Sequence, residues 1–283
     1  MISKARIRRL IFGSIRVFQI VFLQRDKVTN LKSLLLSPIN SVDYRRANFE
    51  KELLELENAF EECNKISRPI KFKASDFQRL PYFKIENTMT EETIAKSFDQ
   101  YGSDKRGSGY HQIYQPILSL ISNKQKPVIL EIGIGTNYLD IESNMGPFGV
   151  PGASLLAWQN LIPRAKIIGA DIDDRIFKNQ NLQGFDLYHV DQLDKNSLEI
   201  LARKLPDLDL VVDDGLHTPL SNLQTFQALF SKLKRGGIYV IEDISEKASY
   251  TTIFWKFIHD MNDLGHESWF VQTEHSNVVI VIK

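Results

Sequence analysis

Residues 127–136 read PVILEIGIGT, an apolar run that ends in two closely spaced glycines. Short apolar runs bounded by glycine are typical of buried β-strands. Gly133 and Gly135 would let backbone N–H groups approach a ligand where a Cβ would collide with it. The dinucleotide fingerprint G-x-G-x-x-G needs a small residue at position 138, which is Tyr138 here. The stretch therefore predicts a strand and a ligand-binding loop without the NAD fingerprint.

Outward from this stretch, short apolar runs alternate with segments of helical periodicity from residue 126 onward. Near-continuous apolar strands separated by helices indicate a parallel sheet that is covered on both faces. Residues 268–283, SWFVQTEHSNVVIVIK, are typical of a closing β-hairpin. We expect an α/β fold with a doubly wound, mostly parallel seven-stranded sheet, a C-terminal β-hairpin and an N-terminal helical extension. Ligands of such sheets bind at the carboxyl ends of the strands.

The composition is that of an ordinary globular protein. The 283 residues are 43% hydrophobic and 25% charged, which suits one large α/β domain plus an extension. Basic and acidic residues balance at 35 each, so the net charge gives no reason to expect a nucleic-acid partner. The single cysteine, Cys63, excludes an internal disulfide framework and a cysteine-based zinc site. It suits a reducing compartment, and we expect a cytoplasmic protein.

The chain is predicted to divide into a helical extension over residues 1–100 and an α/β domain over residues 101–283. Residues 1–36 read as a basic amphipathic helix, since their apolar run is too short to span a membrane and no cleavage site follows. Two interpretations stay open: the helix packs on its own domain or a subunit partner, or it contacts a membrane surface. Nearer the domain, the sequence predicts a helix capped at Thr90 and ended by Gly102.

Acidic residues follow three successive predicted strands. Glu131 stands two residues before the first glycine, and the resulting E-x-G-x-G is the arrangement of S-adenosylmethionine sites in class I methyltransferases. There an acid can face the ammonium group of the ligand. Asp171 ends the second strand and could accept both hydroxyls of a ribose, while Asp191 and Gln192 end the third and could bind an adenine edge. Each acid alone could equally be a helix cap.

The next two strand ends carry a second group of polar residues. Asp214 and His217 share a strand-to-helix turn, and Glu242 and Asp243 end the following strand. Carboxylates at one sheet edge repel each other, and a hard divalent cation such as Mg²⁺ would relieve that repulsion. The histidine beside it could accept a proton from an alcohol. Asp213 is predicted to support the site or contact the cofactor. The alternative is a plain helix cap beside a surface histidine.

These motifs together resemble a known family. GASLLAW, GADID, VDQ, DDGLH and GGIYVIEDI look like the metal-dependent sugar O-methyltransferases of the mycinamicin and macrocin type. The cephalosporin-hydroxylase-like branch shares much of the pattern, and the resemblance covers residues 101–244. It implies a class I methyltransferase fold in which Asp214, Glu242 and Asp243 hold Mg²⁺ and His217 is the general base.

Two further segments gain a role from this resemblance. Residues 101–118, YGSDKRGSGYHQIYQPIL, look like the family's N-terminal motif, a loop that closes over the cofactor. The resemblance therefore implies that Ser103 and Lys105 contact the cofactor. Residues 137–151 form an insertion rich in glycine, proline and asparagine, which predicts a loop. It could be an acceptor-binding lid or a structural flap.

The sequence thus predicts a Mg²⁺-dependent O-methyltransferase that moves the methyl of S-adenosylmethionine to a hydroxyl of a sugar, glycan or glycosylated small molecule. Expected partners are this acceptor and further copies of the chain, with membrane contact through residues 1–36 and no nucleic acid. Two alternatives remain: a different enzyme of the hydroxylase-like branch, and a non-catalytic S-adenosylmethionine-binding protein. An intact acid and histidine set argues against the second, because a binding module needs no base.

Overall fold

The computed structural model describes residues 71–83, 89–246 and 248–283. The strands in this part of the chain are β1 (Lys71–Lys73), β2 (Val128–Ile132), β3 (Lys166–Asp171), β4 (Asp186–His189), β5 (Leu208–Asp213), β6 (Leu233–Ile241), β7 (Glu267–Gln272) and β8 (Asn277–Ile282). They form one sheet in the order β1-β7-β8-β6-β5-β2-β3-β4. The seven predicted strands are present, and β1 adds an eighth at one edge, parallel to β7.

Helices connect the strands on both faces of the sheet. The α-helices in the described residues are α1 (Ala74–Phe77), α2 (Glu91–Tyr101), α3 (Tyr110–Ser122), α4 (Ala153–Leu161), α5 (Lys195–Lys204), α6 (Pro219–Leu229) and α7 (Ala248–Asp263). The predicted caps of α2 are confirmed: the Thr93 N–H donates to Thr90 Oγ1 at 3.1 Å, and Gly102 has φ +79°.

The order of the strands reverses direction between β2 and β5. After β2 the chain builds β3 and β4 on one side, and then crosses to build β5 and β6 on the other. The loops after β2 and β5 therefore diverge and leave a crevice at the carboxyl ends of the strands. Ile132 pairs with Asp213, so these two strands end level. Gly133 (φ +81°) follows at once, and a Cβ there would lie 2.2 Å from the carbonyl oxygen of Asp214.

The predicted C-terminal hairpin is present, and β8 is the strand that runs antiparallel to its neighbours. β7 and β8 form the C-terminal hairpin, and β8 also pairs antiparallel with β6. The hairpin turn thus lies beside the end of β6. On one face of the sheet, the core contains a packed pair of aromatic rings, Tyr114 of α3 and Trp158 of α4, whose centroids are 4.8 Å apart. Both side chains are fully buried below the crevice.

Most of the predicted extension over residues 1–100, including the amphipathic helix over residues 1–36, lies outside the described residues. Its boundary at residue 100 therefore stays a prediction. Within the described part, α2 packs directly on the α/β domain, because Ser97 Oγ donates to the Ala157 carbonyl at 3.3 Å. Of the helices described, none has both the length and the apolar character that crossing a membrane requires.

Candidate active site

Two adjoining cavities open at the crevice between the loops after β2 and β5. We call the first the apolar cavity, because Ile132, Ile172, Val190, Leu193 and Leu216 line it. We call the second the polar cavity, whose wall includes Ser103, Asn144, Ser154, His217 and Asp243. Gly133, Gly135, Ser143 and Asp214 line both. The predicted glycine loop is therefore the ridge between two halves of one site.

Asp171, at the end of β3, fixes the glycine loop. Its Oδ2 accepts hydrogen bonds from the N–H groups of Ile134 at 2.8 Å and Gly135 at 3.1 Å, and its Oδ1 accepts one from Asp173 at 2.9 Å. Burial raises the pKa of Asp171 above its usual value, although these hydrogen bonds oppose the shift. The carboxylate lies on the wall of the apolar cavity. Its contact with a ribose stays a prediction.

Asp191 and Gln192 also line the apolar cavity. The amide of Gln192 joins neighbouring loops: it donates to Asp213 Oδ1 at 2.7 Å and accepts from the Leu216 N–H at 2.8 Å. The side chain that was predicted to bind an adenine edge thus holds the loop after β5. Asp191 accepts from the Leu193 N–H at 2.8 Å. Both adenine contacts stay predictions, and Asp191 is the better placed of the two residues.

Asp213 is fully buried and lies on the wall of neither cavity. Besides the Gln192 amide, it accepts a hydrogen bond from the Tyr239 hydroxyl at 3.3 Å. Burial raises the pKa of Asp213 to about 6, even though these donors favour the charged form. These contacts join Asp213 to the residues around the loop after β5, and its predicted contact with the cofactor stays a prediction.

Lys105 projects into a cluster of carboxylates that come from three strands. Its Nζ lies 2.7 Å from Asp214 Oδ2 and 3.3 Å from Glu131 Oε1, and it also contacts Glu242. Burial alone would lower the pKa of the ammonium, but the three carboxylates outweigh it and raise the pKa well above its usual value. Lys105 borders the polar cavity, as does Ser103, which caps the 3₁₀ turn Asp104–Arg106 that contains Lys105. Their contacts with a cofactor stay predictions.

Glu131 and Glu242 are the innermost acids of this cluster. Glu131 Oε2 accepts from the Trp158 indole N–H at 2.7 Å, and Glu242 accepts from the Tyr114 hydroxyl. Both glutamates are fully buried and lie on the wall of neither cavity. The packed aromatic pair therefore supplies one donor to each acid. Glu131 Oε1 also faces the Lys105 ammonium at 3.3 Å, and its predicted contact with the ammonium of the cofactor stays a prediction.

A second set of donors fixes Asp243, and sequence reasoning gave none of them a role. The Tyr110 hydroxyl donates to Asp243 Oδ1 at 2.5 Å and accepts from the Asp243 N–H at 3.1 Å, and Ser276 Oγ donates to Oδ1 at 2.9 Å. Burial, with the nearby acids, raises the pKa of Tyr110 far above its usual value. The four-residue spacing of Tyr110 and Tyr114 on α3 was the available signal. Ser276, in the hairpin turn, offered none.

Three of the predicted residues converge at the polar cavity. His217 Nε2 lies 4.0 Å from Asp214 Oδ1 and 4.0 Å from Asp243 Oδ2, and one ligand atom of each residue lies within 4.8 Å of the others. The two carboxylates are ligands that suit Mg²⁺ or Mn²⁺, and the imidazole lies beside them. The structure does not bring Glu242 into this group, because Lys105 and Tyr114 take its oxygens. The predicted triad of Asp214, Glu242 and Asp243 stays a prediction.

The insertion over residues 137–151 forms one wall of both cavities and, as predicted, has no helix or strand. Arg175 connects the insertion to the loop after β3. Its guanidinium lies 3.8 Å from the Tyr138 ring centroid and 3.1 Å from Asp140 in the insertion, and 2.6 Å from Asp173, two residues after β3. Phe148 at the tip of the loop is 95% exposed. Tyr138, the residue that interrupts the dinucleotide fingerprint, thus stacks on Arg175.

Curated relatives match part of the sequence. The mycinamicin VI 2''-O-methyltransferase of Micromonospora griseorubida is 36% identical over 124 residues, which are 42% of this chain and 28% of the relative. The 8-demethyl-8-alpha-L-rhamnosyl tetracenomycin-C 2'-O-methyltransferase of Streptomyces olivaceus is 31% identical over 160 residues, 55% of this chain and 38% of the relative. The chain therefore spans less than half the length of these relatives. No protein-family model matches the sequence.

Solved structures establish the fold. The MycE methyltransferase from the mycinamycin biosynthetic pathway, in complex with Mg, SAH and mycinamycin VI, has a TM-score of 0.52 at 22% sequence identity, over 70% of this chain and 54% of that one. A crystal form of MycE with Mg and SAH gives the same TM-score at 24% identity, over 68% and 54%. The chain has the class I S-adenosylmethionine-dependent methyltransferase fold, and its sequence resembles the mycinamicin- and macrocin-type O-methyltransferases that its motifs indicate.

Proposed function

We propose that this chain is a Mg²⁺-dependent O-methyltransferase that transfers the methyl group of S-adenosylmethionine to a hydroxyl group. The observation that carries the proposal is the convergence of Asp214, His217 and Asp243 at the polar cavity. All three residues border the polar cavity, and Asp214 also borders the apolar cavity. A methyl donor and a hydroxyl can therefore meet beside two acids and an imidazole.

S-adenosylmethionine has an apolar, flat adenine end and a charged amino-acid end, which matches the two halves of the site. The apolar cavity would take the adenosine, with Asp171 and Asp191 as acceptors for its hydroxyl and amino groups. The polar cavity would take the amino-acid end, beside Ser103 and Ser154. The MycE structures, solved with Mg and SAH, support this cofactor.

Asp214 and Asp243 would hold the Mg²⁺, with Glu242 proposed as the third ligand from the family resemblance. The metal would bind the acceptor hydroxyl and lower its pKa. His217 would be the general base. Its Nε2 faces the two acids at 4.0 Å and would be the nitrogen that accepts the proton, with Nδ1 turned into the protein.

Alignment contributes the rest of the rate, because a methyl transfer needs oxygen, carbon and sulfur in line and little covalent help. The residues that hold this geometry are the ones that fix the acids: Tyr110 and Ser276 for Asp243, and Lys105 for Asp214. For the acceptor, we propose a sugar, a glycan or a glycosylated small molecule, supported by the glycosylated substrates in the names of the relatives.

The test is the release of S-adenosylhomocysteine by the full chain, with a panel of glycosides, nucleotide sugars and free sugars as acceptors. We expect turnover that EDTA abolishes and Mg²⁺ restores. Asp214→Ala should lose at least about 100-fold in kcat while it keeps S-adenosylhomocysteine binding, and His217→Ala should lose a similar factor. The matched control is His259→Ala, since His259 lies on α7 and borders neither cavity.

Three results would contradict the proposal. Full activity in EDTA would exclude a role for the metal in the reaction, and wild-type kcat in His217→Ala would exclude His217 as the general base. Tight binding of S-adenosylhomocysteine without turnover on any acceptor would favour a non-catalytic binding protein. A reaction product other than a methylated acceptor would favour the hydroxylase-like branch.

A further inference from the structure

The carboxylate cluster already contains a cation of the protein's own. Lys105 is 2% exposed, and its ammonium touches the carboxylates of Asp214 and Glu242 and lies 3.3 Å from Glu131. It comes from a short 3₁₀ turn, Asp104–Arg106, between α2 and α3. A lysine that is so fully removed from water is rare unless it is paired.

The surrounding carboxylates explain why a lysine is buried at this position. Glu131 and Glu242 are fully buried, Asp214 lies beside them, and Asp243 is next in the chain after Glu242. Together with Lys105 these groups carry four negative charges against one positive charge when all are ionised. Buried carboxylates without a countercharge repel each other and favour protonation. The ammonium therefore stabilises the charged form of the acids before any metal binds.

Asp214 is shared between two groups. Its Oδ2 lies 2.7 Å from Lys105 Nζ, and its Oδ1 faces His217 and the cavity. A divalent cation on Asp214 would thus lie on the same carboxylate as the ammonium. If it also reached Glu242, it would meet two oxygens that are already engaged, one by Lys105 and one by Tyr114. The ammonium therefore opposes metal binding at Asp214 by charge repulsion. At Glu242 it also occupies one of the oxygens that the metal could use.

We propose that Lys105 is a positioning residue that sets the metal affinity of this site: its ammonium holds Asp214 and Glu242 in place and competes with the divalent cation for their charge. The proposal rests on the metal site of the proposed function. It differs from the role that the family resemblance implies for Lys105, which is contact with the cofactor.

Removal of the ammonium should therefore strengthen metal binding. The ammonium and the divalent cation on one carboxylate repel each other at an effective dielectric constant of about 20. That repulsion corresponds to well over a tenfold increase in the dissociation constant of the metal. We expect Lys105→Met to bind Mn²⁺ at least tenfold more tightly than the wild type. Lys105→Arg keeps the charge and should stay within about threefold.

The experiment is a calorimetric titration of the full chain with Mn²⁺ in the absence of S-adenosylmethionine, together with melting temperatures with and without Mg²⁺. The matched control is Lys234→Met, because Lys234 pairs with the buried Asp209 at 2.6 Å at the opposite end of β5. Both lysine-to-methionine variants should melt lower than the wild type without metal. Mg²⁺ should raise the melting temperature of Lys105→Met more than that of the wild type or the control.

Equal or weaker Mn²⁺ binding by Lys105→Met would overturn the proposal, and so would an equal melting increment in both lysine variants. If Lys105→Met does not fold, Lys105→Gln, neutral and polar, takes its place with the same expectations. A wild-type chain that binds Mn²⁺ but never releases S-adenosylhomocysteine would defeat the proposed function and leave this inference standing. A wild type that binds no Mn²⁺ would defeat both.

Discussion

Gly133→Ala should destabilise the fold more than a glycine substitution with the same backbone angle elsewhere. The new methyl group would lie 2.2 Å from the carbonyl oxygen of Asp214. Neither side can retreat easily, because Gly133 N–H donates to Ala170 and Asp214 N–H donates to Ile132, both at 2.8 Å. A left-handed alanine costs about 1–2 kcal/mol, and overpacking adds about 1–3 kcal/mol. The free energy of unfolding should therefore fall by about 2–5 kcal/mol.

Gly265→Ala is the matched control. Gly265 has φ +85° between α7 and β7, and among the described residues, its own chain neighbours aside, no atom lies within 4 Å of the place that an alanine Cβ would take, so the substitution carries only the backbone cost. Urea unfolding of both variants and the wild type at one pH gives the comparison, with S-adenosylhomocysteine affinity as a second readout. We expect Gly133→Ala to lose at least about 1 kcal/mol more than the control. Equal losses would refute the reasoning that the contact with the end of β5 is rigid.

Two further predictions concern groups that fix the acids. Tyr110→Phe removes the hydroxyl that holds Asp243, and should raise the Mg²⁺ concentration for half-maximal activity about tenfold. The control Tyr188→Phe, on β4, should leave that concentration unchanged. The same Mg²⁺ requirement in Tyr110→Phe and the wild type would contradict this role of Tyr110. Because folding raises the pKa of Asp213 from 3.8 to about 6, the contribution of this residue to stability should fall by about 2–3 kcal/mol as the pH rises through that interval. Asp213→Asn should flatten this slope in urea titrations, and an unchanged slope would refute it.

The sheet could be predicted because each strand carries its own local pattern. Residues 127–136 show this most clearly, with an apolar run and glycines at its end. β1 could not be predicted, since its three residues, KFK, have no periodicity of their own. Their strand conformation depends on pairing with β7, which follows almost 200 residues later. Contacts of that kind leave no trace in a short window of sequence.

The candidate site was predictable where topology alone brings residues together. Asp214 and Asp243 follow neighbouring parallel strands, so their convergence follows from the fold. The different positions of Glu242 and Asp243 were not predictable, because they depend on which neighbour donates to each acid. Lys105 lies 109 residues before Asp214 and only packing brings the two together. The sequence therefore indicated a motif around Lys105 but not that Lys105 contacts Asp214.

The backbone at two of the converging residues limits how this site can change in evolution. His217 and Asp243 have φ of +57° and +52°, in the left-handed region. Histidine, aspartate and asparagine are the side chains that tolerate this region best after glycine, whereas β-branched residues do not. Neutral drift at these positions is therefore confined to a few polar residues. A lineage could lose the negative charge of Asp243 through asparagine, but not replace it with valine, isoleucine or threonine without rebuilding the turn.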